Sequence, residues 1–375
     1  MNTSSIIGDQ ILMSFTILKE VNRIFDDSFV YSPISLILSL VILLIGSKGD
    51  TEIQIKNLVS PNFSREEIFS YYSLINKKLE DDNLFVILKS FNKGFITNEY
   101  EINDNYKNLI GNYFNGSIEQ IQFSDIPHST EKINNIVSNS TNGNIPKIIE
   151  LNEISIRMKF ILLSALYFKG DWHVKFEKTD TKIVPFYVKP NETKEVYIMS
   201  LENKFSYFEN NYFQLVQLPY LGKNMKMIII LPKNKYNHDN FIENILSIDN
   251  FEYALNNMEK IFIKVMIPKF DIQSSINVTP ILKNLGIVDA FNEIDSNFSE
   301  ITNNSALYID EIKQKAKIEI TETGTEAAAI TSIRLSLYSG AEINDGEVKI
   351  FRADHAFSFY IIDNNFNIYF SGIFK

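Results

Sequence analysis

An α+β fold is what this sequence predicts, on three grounds: helical periodicity fills its first third, strand-like runs dominate afterwards, and apolar residues suffice for a large core. Apolar residues make up 45% of the 375 and aromatics 13%, in the range of a well-filled globule. In chain order, residues 11–24, 36–45, 66–79 and 105–114 each place apolar side chains three and four apart, on one face of a helix. The second of these begins well, because Ser32 suits the cap and Pro33 the first helical position, where its missing N–H costs nothing. Residues 160–168, 214–218, 225–231 and 261–267 are rich in branched and aromatic side chains and read as strands, the last stopped by Pro268. The C-terminus reads as a buried hairpin, residues 357–362 and 366–374, turning at Asp363-Asn364-Asn365.

No Pro/Gly/Ser-rich linker, charge block or fixed-period repeat divides the chain, so residues 1–375 are expected to form a single domain acting as a monomer. The net charge of −10, without a dense basic cluster, argues against nucleic acid or an anionic membrane surface as partner. The longest apolar run, residues 36–45, is too short to span a bilayer. Cysteine is absent, which excludes disulfides and thiolate chemistry. His128, His173, His238 and His355 form no close pair, so no metal-ligand set is legible and each reads as a surface or packed residue. Phosphate-cradling glycine motifs are missing, so no cofactor is implied. No nucleophile is advertised with its base, and the chain does not read as an enzyme. Met1-Asn2-Thr3-Ser4-Ser5 lacks the basic and apolar parts of a cleavable secretory signal. Cytoplasmic residence and leaderless export, with extracellular action, both stay open.

Residues 322–338 carry the most information. Read as one strand, they put Thr325, Ala327, Ala329, Thr331, Ile333, Leu335 and Leu337 on one face, and largely polar side chains on the other. The run Gly324-Thr325-Glu326-Ala327-Ala328-Ala329 is so small that it fits between strands already packed together. Alanine is a poor strand former, so the segment reads as one that becomes a strand later.

That stretch, from Glu322 through Thr331, resembles the hinge of the reactive-centre loop of serpins, protease inhibitors that insert a cleaved loop into their own sheet. The likeness runs along nearly the whole chain. Tyr31-Ser32-Pro33-Ile34-Ser35 and Gly46-Ser47-Lys48-Gly49-Asp50-Thr51 are similar to the first core helix and the turn after it. Thr141-Asn142-Gly143, Tyr167-Phe168-Lys169-Gly170-Asp171-Trp172, Leu218-Pro219-Tyr220, Ile267-Pro268-Lys269-Phe270, Leu285-Gly286 and Phe351-Arg352-Ala353-Asp354-His355 follow in the family's order. The N-terminus resembles that of intracellular, clade B-like members of inhibitory type. The resemblance implies three β-sheets with eight or nine helices and a mobile reactive-centre loop, about residues 322–346.

It also implies a mechanism whose catalytic groups belong to the partner. Counting seventeen residues from Glu322 places the reactive bond at Tyr338–Ser339, and a tyrosine there fits the deep apolar pocket of a chymotrypsin-like serine protease such as chymotrypsin or cathepsin G. Leu335 and Leu337 flank that site in the loop, and Leu337 would serve the same enzyme one register away. Arg334 suits a trypsin-like enzyme but would leave the inserting strand four residues short. The segment after Tyr338 is longer than usual in the family, and a count back from Phe351 falls near Asn344 or Asp345. Ser32, Ser35, Ser164, Gln314 and Trp172 match positions where serpins open the main sheet, with Ser164 in place of an asparagine and Gln314 in place of a histidine. His355 falls in a family motif whose proline is here Ala356, and Ile330 is bulkier than its family counterpart. A non-inhibitory storage or chaperone-like role, and cross-class inhibition of cysteine proteases, are the alternatives.

Overall fold

The computed structural model describes residues 5–80, 86–114, 118–222, 224–304, 307–322 and 348–375. Local chemistry sets the start of the first helices, α1 five residues earlier than its apolar periodicity indicates. Ser5 accepts the Gly8 N–H and opens α1 (Ile6–Asn22). After the short strand β1 (Phe29–Tyr31), the Ser32 hydroxyl accepts the Ser35 N–H and opens α2 (Pro33–Gly46), every residue of which is buried. α3 (Gly49–Val59) and α4 (Arg65–Glu80) follow, the latter begun by a reciprocal pair in which the Ser64 N–H meets Glu67 at 2.8 Å and the Glu67 N–H meets the Ser64 hydroxyl at 3.3 Å. Next come β2 (Val86–Thr97), α5 (Asp104–Phe114), β3 (Ile118–Ile121) and α6 (Ile126–Ser140). A run of strands succeeds them: β4 (Phe160–Gly170), β5 (Lys182–Lys189), β6 (Glu192–Glu209), β7 (Phe213–Pro219) and β8 (Met225–Pro232). The single turn α7 (His238–Asn240) and the helix α8 (Ile248–Asn256) precede β9 (Glu259–Pro268), β10 (Phe270–Asn277) and α9 (Thr279–Asn284). The chain finishes with β11 (Glu311–Ile320), β12 (Lys349–Arg352), β13 (Phe357–Asp363) and β14 (Ile368–Phe374).

Five strands form one sheet in the order β10-β11-β4-β2-β3, and the larger sheet runs β1-β14-β13-β8-β7-β6-β9-β12 with β5 added on β6. The three sheets expected are thus two continuously hydrogen-bonded ones, because the long β6 pairs with β5 in its first half, with β7 at its end and with β9 along most of its length. β4 explains why its sequence is almost unbroken in apolar residues. Phe160, Leu162, Leu166 and Phe168 enter the main core between the sheets and helices, while Ile161, Leu163, Ala165 and Tyr167 enter a second core beneath α6 with Ile133 and Val137. A strand covered on both faces has no polar side to show.

The expected helices and strands fall within a few residues of their observed bounds, with two instructive differences. Among the elements the sequence did not announce are α3, α6, α8, α9, β1, β2, β3, β5, β6, β10, β11 and β12; β2, for one, mixes Lys89, Ser90, Asn92 and Lys93 among its apolar residues without alternation. In the final hairpin, Phe366 belongs to the turn and not to the strand: its φ is +67°, and Asp363 Oδ1 accepts the N–H groups of Asn365 (2.8 Å) and Asn367 (2.9 Å). Among the described residues no helix is long and apolar enough to cross a membrane.

Gly372 in β14 marks the tightest approach of the hairpin to its neighbours. A Cβ there would stand 2.5 Å from the Phe29 carbonyl oxygen and from the Phe359 ring, whereas one at Gly111 in α5 meets nothing within 4 Å. Gly372→Ala is expected to destabilise by about 1–3 kcal/mol and Gly111→Ala to stabilise by up to about 1 kcal/mol. Melting midpoints at one scan rate should move in opposite directions.

Candidate functional site

β11 and β4 are parallel and directly paired over nine positions, from Glu311 opposite Ile161 to Glu319 opposite Lys169. This seam lies in the middle of the five-stranded sheet, and residues 323–347 leave from the end of β11. Three sets of contacts hold it closed.

Midway along the seam, Ser164 lies opposite Asn92 on β2 and opposite Gln314 on β11, a polar row above the N-terminus of α2. The Gln314 amide clamps the Ser32 backbone, its oxygen accepting the N–H at 2.8 Å and its nitrogen donating to the carbonyl at 2.9 Å. That nitrogen also reaches Ser164 Oγ at 3.3 Å. Ser35 Oγ is 2.7 Å from Ser164 Oγ. The Asn92 amide nitrogen donates to Ser35 Oγ (2.6 Å) and Ser164 Oγ (3.1 Å) when its oxygen faces Ser90 Oγ at 3.1 Å. Ser32, Ser35, Ser164 and Gln314 are each at most 1% exposed, so these bonds form away from water, where an unpaired partner is costly. Asn92 was missed by sequence reasoning because its strand was not legible. It brings an amide to the row from the strand next to Ser164.

At the end of the seam, the Trp172 ring stacks on Tyr220 at 4.5 Å and its Nε1–H donates to the Thr321 carbonyl at 2.8 Å. Glu322 is 5% exposed. Its carbonyl accepts the Phe176 N–H at 3.0 Å, and its carboxylate takes Thr181 Oγ1 and Lys269 Nζ, both at 3.0 Å. Burial alone would raise this carboxyl, but its hydrogen bonds from the backbone, Lys269 and Thr181, with the Lys269 charge, outweigh that and hold it below the usual glutamate range. Across the last pair of the seam, Tyr167 OH donates to Glu319 at 3.0 Å and Lys169 pairs with the same carboxylate at 2.9 Å.

On the outer face, Lys313 of β11, 7% exposed, pairs with Glu153, and Lys315 donates to the Lys147 carbonyl at 2.6 Å. Both acceptors lie on the chain between α6 and β4. Nothing in the spacing of these residues announced the contact.

The chain that follows residue 347 is anchored separately. β12 pairs in parallel with β9, and Asp354 is met by Lys235 (3.1 Å), Arg352 (3.2 Å) and His355 Nδ1 (2.9 Å), while His355 Nε2 is 2.6 Å from the Pro232 carbonyl. His355 is packed, as the sequence allowed. The structure thus brings Ser32, Ser35, Ser164 and Gln314 together, and places Trp172 with Glu322 at one end of the same seam. Gly324, Thr325, Glu326, Ala327, Ala328, Ala329, Thr331, Leu335, Leu337, Tyr338 and Ser339 lie outside the described residues. Among the described residues no group of three histidine or carboxylate side chains is placed to hold a metal ion.

The family model described as Serpin (serine protease inhibitor) matches residues 11–374. An uncharacterized serpin-like protein of Thermococcus kodakarensis is 32% identical over 355 residues, spanning 93% of this chain and 80% of the relative. Serine protease inhibitor 42Dd of Drosophila melanogaster is 28% identical over 350 residues, 92% and 91% of the two chains. Among solved structures, uncleaved ovalbumin superposes with a TM-score of 0.88 at 25% identity, covering 98% of this chain and 99% of that one.

Two outcomes follow for the seam. Gln314→Leu, which removes the partner of the Ser32 N–H and leaves the Ser32 carbonyl only its bond from the Leu36 N–H, is expected to cost about 1–3 kcal/mol, read as a lower guanidinium midpoint. Lys269→Ala should cost about 1 kcal/mol at neutral pH, less than for a fully buried pair because the lysine side chain is 44% exposed. Since the Glu322 carboxyl is depressed, its contribution is present above the ordinary glutamate range and is lost as pH falls through its lowered value. The gap in melting midpoint between Lys269→Ala and the parent chain should therefore close in acid.

Proposed function

This chain belongs to the serpin family, and on that premise we propose that it inhibits chymotrypsin-like serine proteases as a suicide substrate cut at Tyr338–Ser339. The observation that supports the reading is the parallel seam. A chain leaving β11 at Glu322 and turning back between β11 and β4 runs antiparallel to both. It exchanges one parallel ladder for two antiparallel ones, which are slightly more stable per residue. Thr325, Ala327, Ala329 and Thr331 are small enough to enter first, with Gly324, Glu326 and Ala328 on the opposite face.

The chemistry is the protease's own. Its serine oxygen attacks the Tyr338 carbonyl, the histidine carries the serine proton to the leaving Ser339 nitrogen, and an ester joins Tyr338 to the enzyme. Insertion of about 14 residues at roughly 3.3 Å each carries that ester about 46 Å. A compact chain of this length has a radius of gyration near ~21 Å, so the protease is dragged along the whole molecule. Hydrolysis of the ester needs close alignment of water, base and carbonyl, and distortion of the dragged enzyme stalls it. Ser32, Ser35, Ser164, Gln314 and Trp172 act as the gate, because their bonds straddle or terminate the seam that must part.

Incubation with chymotrypsin should give a complex that survives a denaturing gel at near-stoichiometric inhibitor, with a released peptide beginning at Ser339. Complete cleavage without complex, and no rise in melting temperature of the cut protein, would overturn the inhibitory reading. A peptide beginning elsewhere would overturn the bond.

A further inference from the structure

One face of the larger sheet gathers lysines that the sequence scatters. Residues directly opposite in antiparallel strands share a face, so Lys260 on β9 lies with Ser206 on β6, Ser206 with Gln217 on β7, and Pro219, two residues on, with Lys226 on β8. Lys204, two residues before Ser206, joins them. This row and the His173-Val174 segment, whose His173 N–H donates to the Pro219 carbonyl at 3.0 Å, line a cleft of about 480 Å³.

No carboxylate lines this cleft, in a chain with 46 acidic residues against 36 basic ones. Neighbouring lysines of the same fold are neutralised: Lys264 by Glu202 at 3.1 Å, Lys169 by Glu319 at 2.9 Å and Lys349 by Glu209 at 2.5 Å. Among the described residues Lys204, Lys226 and Lys260 have no such partner. The acid that acts on Lys226 is Asp363, whose Oδ1 accepts the N–H groups of Asn365 and Asn367 and whose Oδ2 accepts the Asn367 side-chain amide and is approached by Lys78 at 4.0 Å. Lys226 lies 4.8 Å from the centre of the Phe366 ring, half-buried, and burial lowers its pKa. A bound anion would relieve that cost. The volume falls in the range of small-molecule sites, and Val174 and Pro219 supply an apolar wall beside the amines.

We propose that this cleft binds a small phosphorylated molecule, its phosphate oxygens held by Lys204, Lys226 and Lys260 and its apolar body against Val174 and Pro219. The site is independent of the reactive loop, so its fate and that of the inhibitory reading are separable. The chain's one tryptophan, Trp172, directly precedes His173 and reports on occupancy.

Calorimetry of the intact protein with phenyl phosphate in low-salt buffer should give saturable one-to-one binding with a change in tryptophan emission. Inorganic phosphate should bind more weakly, which separates a phosphorylated organic ligand from the free ion. The double variant Lys204→Gln/Lys260→Gln, both exposed positions, should weaken binding at least tenfold, while Lys56→Gln on α3 leaves it unchanged. In the parent protein, phenyl phosphate should also slow acetylation of Lys204 and Lys260 but not of Lys56, a readout that needs no variant. Absence of saturation, equal loss in the double variant and Lys56→Gln, or equal affinity for the inorganic ion would overturn the proposal.

Discussion

β4 and β11 are neighbours in a parallel ladder of nine pairs, although they are separated along the chain by most of the larger sheet and joined beyond β11 to a segment that alternates small and apolar residues. Parallel pairing of this kind is normally built by local crossover units, with each strand covered on both faces. Here coverage is complete only for β4, by the main core on one face and by α6 and its following segment on the other, whereas Lys315, Lys317 and Glu319 of β11 stay partly exposed. Pairing within the ladder is nevertheless the less favourable of the two ways to order these strands. The rest of the molecule either holds this ladder shut or positions the chain that would split it.

What holds it is polar and buried, which sets both its strength and its brittleness. A buried hydrogen-bonded group contributes modestly while paired and costs more when its partner leaves. The Gln314 clamp on Ser32, the serine–asparagine row and the Glu322 carboxylate are all of this type. They resist small displacements sharply, yet each is lost within a fraction of an ångström of separation. A core made only of leucine and isoleucine would resist more gradually, since apolar contact has no preferred direction. On the proposed mechanism polar latches suit the seam, because they would contribute to the barrier without making the closed state the deepest one.

Much of this could be read from residue patterns, for identifiable reasons. α2 declared itself through Ser32, Pro33 and an apolar run broken only by Ser39, and β4 through its branched and aromatic side chains. Of the five residues proposed as the gate, Ser32, Ser35 and Trp172 could be named because they fall in ordered short motifs, and Ser164 and Gln314 from the family resemblance alone. Asn92 could not, since β2 shows no period: its two faces are partly covered in different places along its length. The outer strap of Lys313 to Glu153 was equally invisible, because a lone lysine in a strand reads as solvent-facing unless the covering segment is known. The lysine row on the larger sheet was hidden for a third reason. Its members are 22 and 34 residues apart, and only strand register makes them neighbours.

The latches are also ordered in space, and that order constrains how the seam can open. On the proposed mechanism strand entry begins where the chain leaves β11, at Glu322, so the contacts of Thr321 and Glu322 with Trp172, Phe176, Thr181 and Lys269 are first in line. The Tyr167 and Lys169 bonds to Glu319 come next, one residue pair into the ladder. Only then does the advancing strand reach Gln314 and Ser164. At that point α2 is fastened to both sides, through Ser32 to β11 and through Ser35 to β4 and β2. The Gln314 clamp on Ser32 is the better-made attachment, with two backbone partners at 2.8 and 2.9 Å against the 3.3 Å contact to Ser164. The weaker bond lies across the seam itself. Parting there separates β11 from β4, β2 and β3 while α2 stays tied to both sides, so either the Gln314 clamp or the Ser35 bonds at 2.7 and 2.6 Å must break as well.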